Sequence, residues 1–447
     1  MDDFFKSRAL EYHSAGKPGK ITMVPSKPVE TPEQLSMAYT PGVAAPAVEI
    51  SKERWKAYRY TNKGNLVAVV SNGSSLLGLG NKGALASKPV MEGKAMLFKS
   101  YADIDAFDIE ISDEEPEKVI ATVQALAPTF GGINLEDIKA PDCFYIEKRL
   151  RELLDIPVLH DDQHGTAVTV SAALLNACKV TSKSLGSIKI VICGAGAAAI
   201  SSAAMLLEMG VSREQITMLD SKGVITTHRT DLDETKARFA TNTSVTTLSQ
   251  AIEGADAFIG LSKGDLLKES DIKSMSPSPI IFALANPVPE ISYQRAKALR
   301  PDAVVATGRS DNPNQINNVL SFPYLFRGAL DTLSTTINEA MKIAAAKAIA
   351  SIAQKAVSKE IVEQYGHTFT FGCEYILPKP GDRRLLTDVS SAVALAAMKS
   401  GVARRKIASL SEYSQTLLSR IDNENFFARE YIRHKISKRM NESEEII

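Results

Sequence analysis

One glycine turn constrains the fold of this chain more than any other feature. The stretch SIKIVICGAGAAAISSAAMLLEMG has the pattern of a buried strand, a turn in which Gly194, Gly196 and Ala199 form G-x-G-x-x-A, and an apolar helix. The first glycine permits the tight turn, the second lets backbone N–H groups approach a diphosphate, and the small third residue lets the helix pack on the strand. The helix N-terminus also carries partial positive charge. We therefore predict a dinucleotide site here.

The chain around and beyond this turn alternates between strands and helices. The predicted strands are KIVICG, QITMLD, AFIGLS, PIIFALANP and AVVATG, and an apolar helix from Gly165 leads into the first of them. Alternation at this spacing predicts a parallel, doubly wound sheet with right-handed crossovers. The fold class is α/β: an N-terminal α/β domain over 1–163, a Rossmann-type domain with closing helices over 164–404, and a charged helical tail over 405–447.

The second predicted strand of the nucleotide fold ends at Asp220, which Ser221 and Lys222 follow directly. An acid at this place usually accepts hydrogen bonds from the ribose hydroxyls, which favours NAD. Lys222 is instead suited to a 2′-phosphate, which favours NADP. The sequence leaves the choice between NAD and NADP open.

Two pairs of acidic residues precede the glycine turn. Glu136 and Asp137 stand in INLEDI, and Asp161 and Asp162 stand in VLHDDQHGTA. Both pairs are predicted at strand ends, where neighbouring side chains need not face opposite sides. Carboxylate oxygens are the ligands that Mg²⁺ and Mn²⁺ prefer. We predict a divalent metal beside a hydride acceptor; the alternative is a pair of solvated strand ends or helix caps.

Four further residues are candidates for supporting or catalytic roles. Lys94 lies in an apolar helix expected to begin at about Val90, where burial lowers the pKa of a lysine and lets it act as a base; the alternative is a snorkelling helix lysine. Tyr39 lies in a Pro-Gly turn that can hold its hydroxyl in a cleft, and the alternative is a packed turn tyrosine. His160 and His164 are assigned to core or supporting positions, because carboxylates already satisfy a hard ion.

Composition narrows the class of protein. The formal net charge is zero, which gives no support for binding to nucleic acid or a membrane surface. No apolar run reaches the roughly 18–20 residues of a membrane span, and the start MDDFFKSRAL does not resemble a signal peptide. The four cysteines are far apart and form no CxxC pair, which predicts reduced thiols and a cytoplasmic location.

Taken together, these segments resemble the malic enzyme family, in its smaller, prokaryotic-type branch. The motifs that carry the resemblance occur in family order over roughly residues 8–405: GKPGKI, AYTPGVA, LLGLGNKG, KPVMEGKAMLFK, INLEDI, HDDQHGTA, the glycine turn, ANPVPE, NQINNVLSFPYLFRGAL and YILPKPGDRRLL. The resemblance implies oxidative decarboxylation of L-malate to pyruvate and CO2, through metal-bound oxaloacetate and enolpyruvate. It implies NAD or NADP, and Mg²⁺ or Mn²⁺, as cofactors.

The resemblance also implies residue roles. Lys94 matches the catalytic lysine that takes the proton from the C2 hydroxyl, and Tyr39 matches the tyrosine that protonates C3. The matching metal ligands are Glu136, Asp137 and Asp162, with Asp161 beside them. Asn286 and Asn318 match the asparagines that hold the substrate carboxylate, although Asn317 is an alternative to Asn318. A homodimer is expected, with the extended N-terminal arm as an exchanged element.

Two features depart from the family pattern. The larger branch has an arginine substrate clamp just before its LGLG run, whereas SNGSSLLGLG has Ser74 and Ser75 there and no arginine. Longer relatives carry an acyltransferase-like domain after the malic region, which we expect this chain to lack. The competing interpretations are another two-domain dehydrogenase of amino-acid or hydroxy-acid type, which needs no divalent ion, and a cofactor-binding protein that has lost catalysis.

Overall fold

The N-terminal part of the protein is built around a four-stranded parallel sheet. The structure, a computed structural model, describes residues 3–15 and 18–422. The strands occur in the order β2-β1-β3-β4, and all three neighbouring pairs are parallel. The elements of this part are α1 (Asp3–Ser14), α2 (Pro32–Ala38), α3 (Ala44–Lys52), α4 (Ala57–Tyr60), β1 (Leu66–Ser71), α5 (Ala84–Ala102), β2 (Asp105–Glu110), α6 (Pro116–Leu126), β3 (Gly132–Leu135), α7 (Asp142–Leu153) and β4 (Val158–His160).

The second part contains a six-stranded sheet in the order β10-β9-β8-β5-β6-β7, in which only the short β7 is antiparallel to its neighbour. The chain leaves the central β5 first on one side, to β6, and later on the other, to β8. The elements are α8 (Asp161–Val180), β5 (Ile190–Cys193), α9 (Ala197–Glu208), β6 (Ile216–Asp220), β7 (Gly223–Val224), α10 (Glu234–Ala237), α11 (Leu248–Ile252), β8 (Ala257–Gly260), α12 (Glu269–Ser274), β9 (Ile280–Ala283), α13 (Tyr293–Leu299) and β10 (Val304–Thr307). The predicted α/β class and doubly wound sheet are confirmed.

Helices close the fold after β10. They are α14 (Phe322–Asp331), α15 (Glu339–Ala353), α16 (Lys359–Tyr365), a π-helical turn at Leu385–Val389 and α17 (Ser390–Lys399). A further helix covers 410–422, and the remainder of the predicted tail, 423–447, lies outside the described residues. None of the helices in the described part of the chain has the length and apolarity that a membrane crossing requires.

One apolar core runs through both parts of the molecule. It contains Val67 and Val69 of β1 together with Ile190 and Ile192 of β5, and the apolar residues of the long helix α8 belong to the same cluster. Fourteen of the twenty residues of α8 are buried, which explains why its sequence is apolar nearly all round. Strand β1 of the first sheet and strand β5, which leads into the glycine turn, are therefore held on one continuous core.

Two predicted boundaries are wrong, and both bear on the site. Helix α8 begins at Asp161 and not at Gly165, so the acids Asp161 and Asp162 form its first turn and do not end the preceding strand. Acids are favoured there because the helix N-terminus carries partial positive charge. Helix α5 begins at Ala84 and not near Val90, because it accommodates Pro89 within its early turns.

Candidate active site

The two acidic pairs meet because β3 and β4 are neighbouring parallel strands. Leu135 pairs with His160 at the ends of these strands, so Glu136 and Asp161 follow side by side. Asp137 has a φ of 52°, a left-handed turn that bends the chain directly after Glu136. Its backbone N–H then donates to the Asp162 carboxylate, with 2.8 Å between Asp137 N and Asp162 Oδ2. All four acids of the sequence prediction thus occupy one edge of the first sheet.

Lys94 lies between two of these acids. Its ammonium donates to Asp161 at 2.6 Å and to Glu136 at 2.9 Å, and it stands 4.2 Å from the centre of the Phe322 ring. Burial by itself lowers the pKa of Lys94, but the charges of Asp161 and Glu136 outweigh burial and raise it above its ordinary value. The expectation of a depressed lysine pKa is therefore wrong for this arrangement, in which Lys94 is a firmly held ammonium.

The carboxyl groups here are crowded and incompletely hydrogen-bonded. Burial, followed by the nearby acids, raises the pKa of Glu136 well above its ordinary value, and burial with the charge of Asp162 raises that of Asp137 to about 7. Within the described chain, Oδ2 of Asp137 and Oδ1 of Asp161 are buried without a hydrogen-bond partner. Hard oxygen atoms that repel one another and lack donors suit a divalent cation.

The acidic side chains of the described residues do not form a preorganised metal-binding site. No three His, Cys, Asp or Glu side chains of the described residues are grouped as they would be around a bound ion. The ammonium of Lys94 occupies the space between Glu136 and Asp161 and supplies the positive charge instead. The assignment of Glu136, Asp137 and Asp162 as ligands remains a prediction, and holding an ion requires these side chains to turn towards it.

Asn318 belongs to the same cluster. Its Nδ2 donates to Oδ2 of Asp161 at 3.1 Å, and its Oδ1 accepts from the Thr166 hydroxyl at 3.0 Å. Asn317 instead accepts from the backbone N–H of Val319 and caps a short 3-10 turn. Of the two alternatives, Asn318 is the one whose side chain contacts the acids.

Asn286 lies where the two parts of the molecule approach each other. It precedes a cis peptide bond to Pro287, and its amide group lies next to Gly308 at the end of β10. Gly78, in the loop after β1, passes so close that an added Cβ would lie 2.7 Å from the Asn286 carbonyl oxygen. The glycine-rich loop of the first part therefore borders the strand ends of the second.

The loop that lacks the arginine clamp uses its polar atoms internally. The Ser74 hydroxyl donates to Asn72 at 2.6 Å and accepts from the backbone N–H of Lys139 at 3.0 Å, and the side chain is buried. The backbone N–H of Leu77 donates to Oδ1 of Asp137 at 3.3 Å. This loop therefore braces the acidic edge.

Tyr39 is not brought into this cluster within a single chain. It caps the C-terminus of α2, and 68% of its side chain is exposed. Among the described residues its hydroxyl forms no hydrogen bond with Lys94 or with any of the acids. The structure does not bring Tyr39 to Lys94 or to the acids, and its catalytic role stays a prediction.

The glycine turn lies at the carboxyl end of β5. Here the strand order switches sides, with β6 on one side of β5 and β8 on the other. Gly194 has a φ of 128°, and a Cβ there would lie 2.3 Å from the Leu261 carbonyl oxygen. Gly196 precedes the first turn of α9 and faces open space, while Ala199 is fully buried against the core. The three positions fit a diphosphate at the N-terminus of α9, at the place where doubly wound sheets bind nucleotides.

Asp220 has a partner that the sequence reasoning missed. Arg229 donates to both Asp220 oxygens, at 2.7 and 2.8 Å, and to Asp231. Burial would raise the pKa of Asp220, but the Arg229 guanidinium and the Lys222 backbone N–H hold it below its ordinary value. Lys222 itself is exposed and pairs with Asp231 at 2.6 Å. Arg229 stands nine positions after Asp220 in the sequence. The two side chains meet because the chain folds back after β6.

The two expected supporting histidines occupy different surroundings. His160 is fully buried, and neither ring nitrogen has a hydrogen-bond partner among the described residues; its Nε2 is 3.9 Å from Oδ2 of Asp162. His164 forms hydrogen bonds with Glu147 at 2.9 Å and with Lys342 at 3.0 Å. Neither Glu147 nor Lys342 carried a sequence motif that marked it.

A doubly wound sheet with a glycine turn, facing a second sheet with a lysine among buried acids, defines the class of two-domain dinucleotide-binding proteins. The family model "Malic enzyme, N-terminal domain" matches residues 18–115 and 112–151, and "Malic enzyme, NAD binding domain" matches residues 163–363. The chain belongs to the malic enzyme family.

Individual relatives agree over nearly the whole chain. The NADP-dependent malic enzyme of Escherichia coli is 52% identical over 96% of this chain, which spans only 57% of that relative. The NADP-dependent malic enzyme of Halomonas elongata is 53% identical over 91% of this chain and 96% of its own length. The crystal structure of malic enzyme from Pyrococcus horikoshii Ot3 superposes with a TM-score of 0.86 at 45% identity, covering 95% of this chain and 98% of that one.

Proposed function

We propose that this protein oxidises and decarboxylates L-malate to pyruvate and CO2, reducing NAD(P) with the help of a divalent cation. The observation that carries the proposal is the Lys94 ammonium held between Glu136 and Asp161 at the edge where the two sheets face each other. Family membership supports the reaction, and the chain contains the lysine, tyrosine, acids and asparagines that the reaction needs.

The residues of the chain divide the proton and binding work between them. Lys94 takes the proton of the C2 hydroxyl as the hydride leaves C2, and this requires that the acids beside it be neutralised so that its pKa falls. Tyr39 returns a proton to C3 after CO2 departs. Asn286 and Asn318 orient a substrate carboxylate by donating their amide N–H groups.

Glu136, Asp137 and Asp162 would hold the cation, and Asp161 would support it through Lys94 and Asn318. A divalent cation held there would supply positive charge to the C2 oxygen and to the enolate, and a bound nicotinamide would supply the hydride acceptor for the earlier oxidation of C2. The buried Oδ2 of Asp137, which lacks a donor, supports this assignment.

NADP is the cofactor that we propose. Both relatives described above are named as NADP-dependent. Arg229 engages both oxygens of Asp220, so that carboxylate has little capacity left for ribose hydroxyls. The exposed Lys222 offers an ammonium to a 2′-phosphate at the same strand end. Gly194, Gly196 and Ala199 would form the diphosphate turn.

The protein is proposed to act as a homodimer in the cytoplasm. The N-terminal arm and the helices after it expose large apolar side chains, Met23, Leu35, Met37, Tyr39 and Val48 among them, as expected of a face covered by a second copy. Tyr39 belongs to that face, so its approach to substrate depends on how the face is covered. The four cysteines, all in the described part of the chain, are free, as suits a reducing compartment.

Deleting residues 1–20 should weaken the dimer. An unchanged molecular mass in light scattering would contradict the role of the N-terminal arm as an exchanged element.

The reaction is tested by following the absorbance of reduced nicotinamide with L-malate and Mg²⁺, in parallel with NADP and NAD. The proposal expects activity with NADP above that with NAD, and complete loss of activity on adding EDTA. Activity that persists in EDTA would indicate a metal-independent dehydrogenase. If neither NADP nor NAD were reduced, the proposed reaction would be rejected.

A further inference from the structure

A buried carboxylate lies behind the acidic edge and takes no part in the chemistry described so far. Glu147, on α7, is 5% exposed. Its carboxylate accepts three hydrogen bonds: from the backbone N–H of His160 at 3.2 Å, from Nε2 of Gln163 at 3.1 Å and from Nε2 of His164 at 2.9 Å. A buried carboxylate is tolerated only when donors compensate its charge, and these three do so.

The three donors flank the two acids of α8. His160 precedes Asp161, and the residue after Asp162 is Gln163. Asp161 contacts Lys94, and Asp162 accepts from the backbone N–H of Asp137. Glu147 binds the residues on either side of these two acids, so it holds the same helical turn through groups that the acids do not use.

A third helix, α15, also contacts this turn. Lys342 on α15 is 2% exposed, and its ammonium lies 3.0 Å from Nδ1 of His164. An ammonium can only donate, so Nδ1 accepts and the proton of His164 resides on Nε2, where it points to Glu147. Burial alone would raise the pKa of Glu147, but the hydrogen bond from His164 and the positive charge of Lys342 hold it below its ordinary value, so the carboxylate stays ionised.

We propose that Glu147 is a positioning residue: with His164 and Lys342 it fixes the junction of β4 and α8, so that Asp161 and Asp162 stand where a divalent cation and Lys94 need them. The inference rests on the proposed function, since it assigns the junction to metal binding. Partners behind metal ligands typically contribute 10–100-fold to metal affinity or activity, because they orient the ligating groups.

The first test is Glu147→Gln, which retains the size of the side chain. Its amide places an N–H group against donors, so at least one of the three hydrogen bonds is lost. A cavity of about 560 Å³ borders Glu147, Gln163 and His164, which gives water access to groups left without a partner. We expect the Mn²⁺ dissociation constant, measured from the electron paramagnetic resonance signal of free Mn²⁺ without turnover, to rise about 10–100-fold. NADPH binding, followed by its fluorescence, should be unchanged.

Glu152→Gln is the matched control, because Glu152 lies on the same helix and borders the same cavity but pairs with Arg149 on the surface. It should bind Mn²⁺ as the unaltered protein does. Unchanged Mn²⁺ affinity in folded Glu147→Gln, or an equal loss of Mn²⁺ and NADPH binding, would overturn the positioning role. If the unaltered protein itself binds no Mn²⁺ or leaves malate unchanged, the proposed function fails instead.

A second pair of variants decides the matter should Glu147→Gln not fold. The amide of His164→Gln reaches the place of Nε2 and still donates to Glu147, whereas the amide of His164→Asn reaches only the place of Nδ1. We expect Mn²⁺ affinity to be retained in His164→Gln and weakened in His164→Asn. Equal affinities in the two variants would overturn the proposal.

Discussion

The two sheets of this protein end in sites that are constructed in opposite ways. At the ends of β3 and β4, charged side chains are buried together, and their positions depend on how their charges are compensated. At the end of β5, the glycine turn is made by the backbone, and none of the turn residues 194–199 has a charged side chain. The first site should therefore respond to charge and metal, and the second to shape.

The largest expected effect is on the side-chain site. Lys94→Ala removes the proton acceptor and should lower turnover by about 10²–10⁴-fold, the usual contribution of general acid–base catalysis. NADPH binding should be unaffected, because the glycine turn does not contact Lys94. Lys88→Ala is the control, since Lys88 lies on the same helix and pairs with Asp108 away from the acids. Normal formation of reduced cofactor in Lys94→Ala would refute the assignment of the base.

Asp137→Asn tests the dependence of that site on charge. The substitution retains the size of the side chain but removes one negative charge and an oxygen that lacks a donor. Mn²⁺ binding should fall below detection at concentrations that saturate the unaltered protein. Asp142→Asn, in the first turn of α7, provides a control that changes charge away from the edge. Unaltered Mn²⁺ affinity in Asp137→Asn would argue against ligation.

Gly194→Ala tests whether the cofactor site depends on shape. The new Cβ would lie 2.3 Å from the Leu261 carbonyl oxygen at a φ of 128°, so the turn must shift. We expect NADPH binding to weaken strongly and stability to fall by about 1–3 kcal/mol. Gly210→Ala shares the positive φ but meets no atom within 4 Å, so it separates backbone strain from collision. Equal NADPH binding in both variants would show that close approach is unimportant.

The smallest effect is expected where charge assists the cofactor site. Lys222→Ala should weaken NADP binding by about 10-fold, in the range of one charged hydrogen bond, and leave NAD binding unchanged. Lys189→Ala is the control, since Lys189 precedes β5 at the other end of the sheet and donates to Glu253. A parallel loss for NAD and NADP in a titration of Lys222→Ala would mean that Lys222 does not distinguish the cofactors.

The sequence predicted the backbone site more fully than the side-chain site. The G-x-G-x-x-A spacing describes a local turn, so Gly194, Gly196 and Ala199 could be placed from neighbours in the chain. The hydrophobic run of β3 also placed the end of that strand beside Glu136, whereas the predicted end of β4 at Asp162 was wrong, because Asp161 and Asp162 begin α8. Features of this kind can be predicted because residues that are close in the sequence determine their geometry.

Contacts between distant segments could not be predicted in the same way. The raised pKa of Lys94 depends on Asp161 approaching it across α5 and α8, and apolar neighbours in the sequence suggested a lowered pKa. Arg229 and Glu147 stand in no motif, and only folding brings them to Asp220 and His164. The exposure of Tyr39 likewise follows from where the N-terminal arm lies, which local sequence does not determine.

Oxidative decarboxylation is measured most directly by the ratio of CO2 released to NADPH formed from L-malate labelled at the C4 carboxyl. We expect one labelled CO2 for each NADPH, with both lost when EDTA removes the divalent cation and both restored by Mn²⁺. Formation of NADPH without labelled CO2 would contradict this expectation, because the acidic edge would then serve oxidation alone.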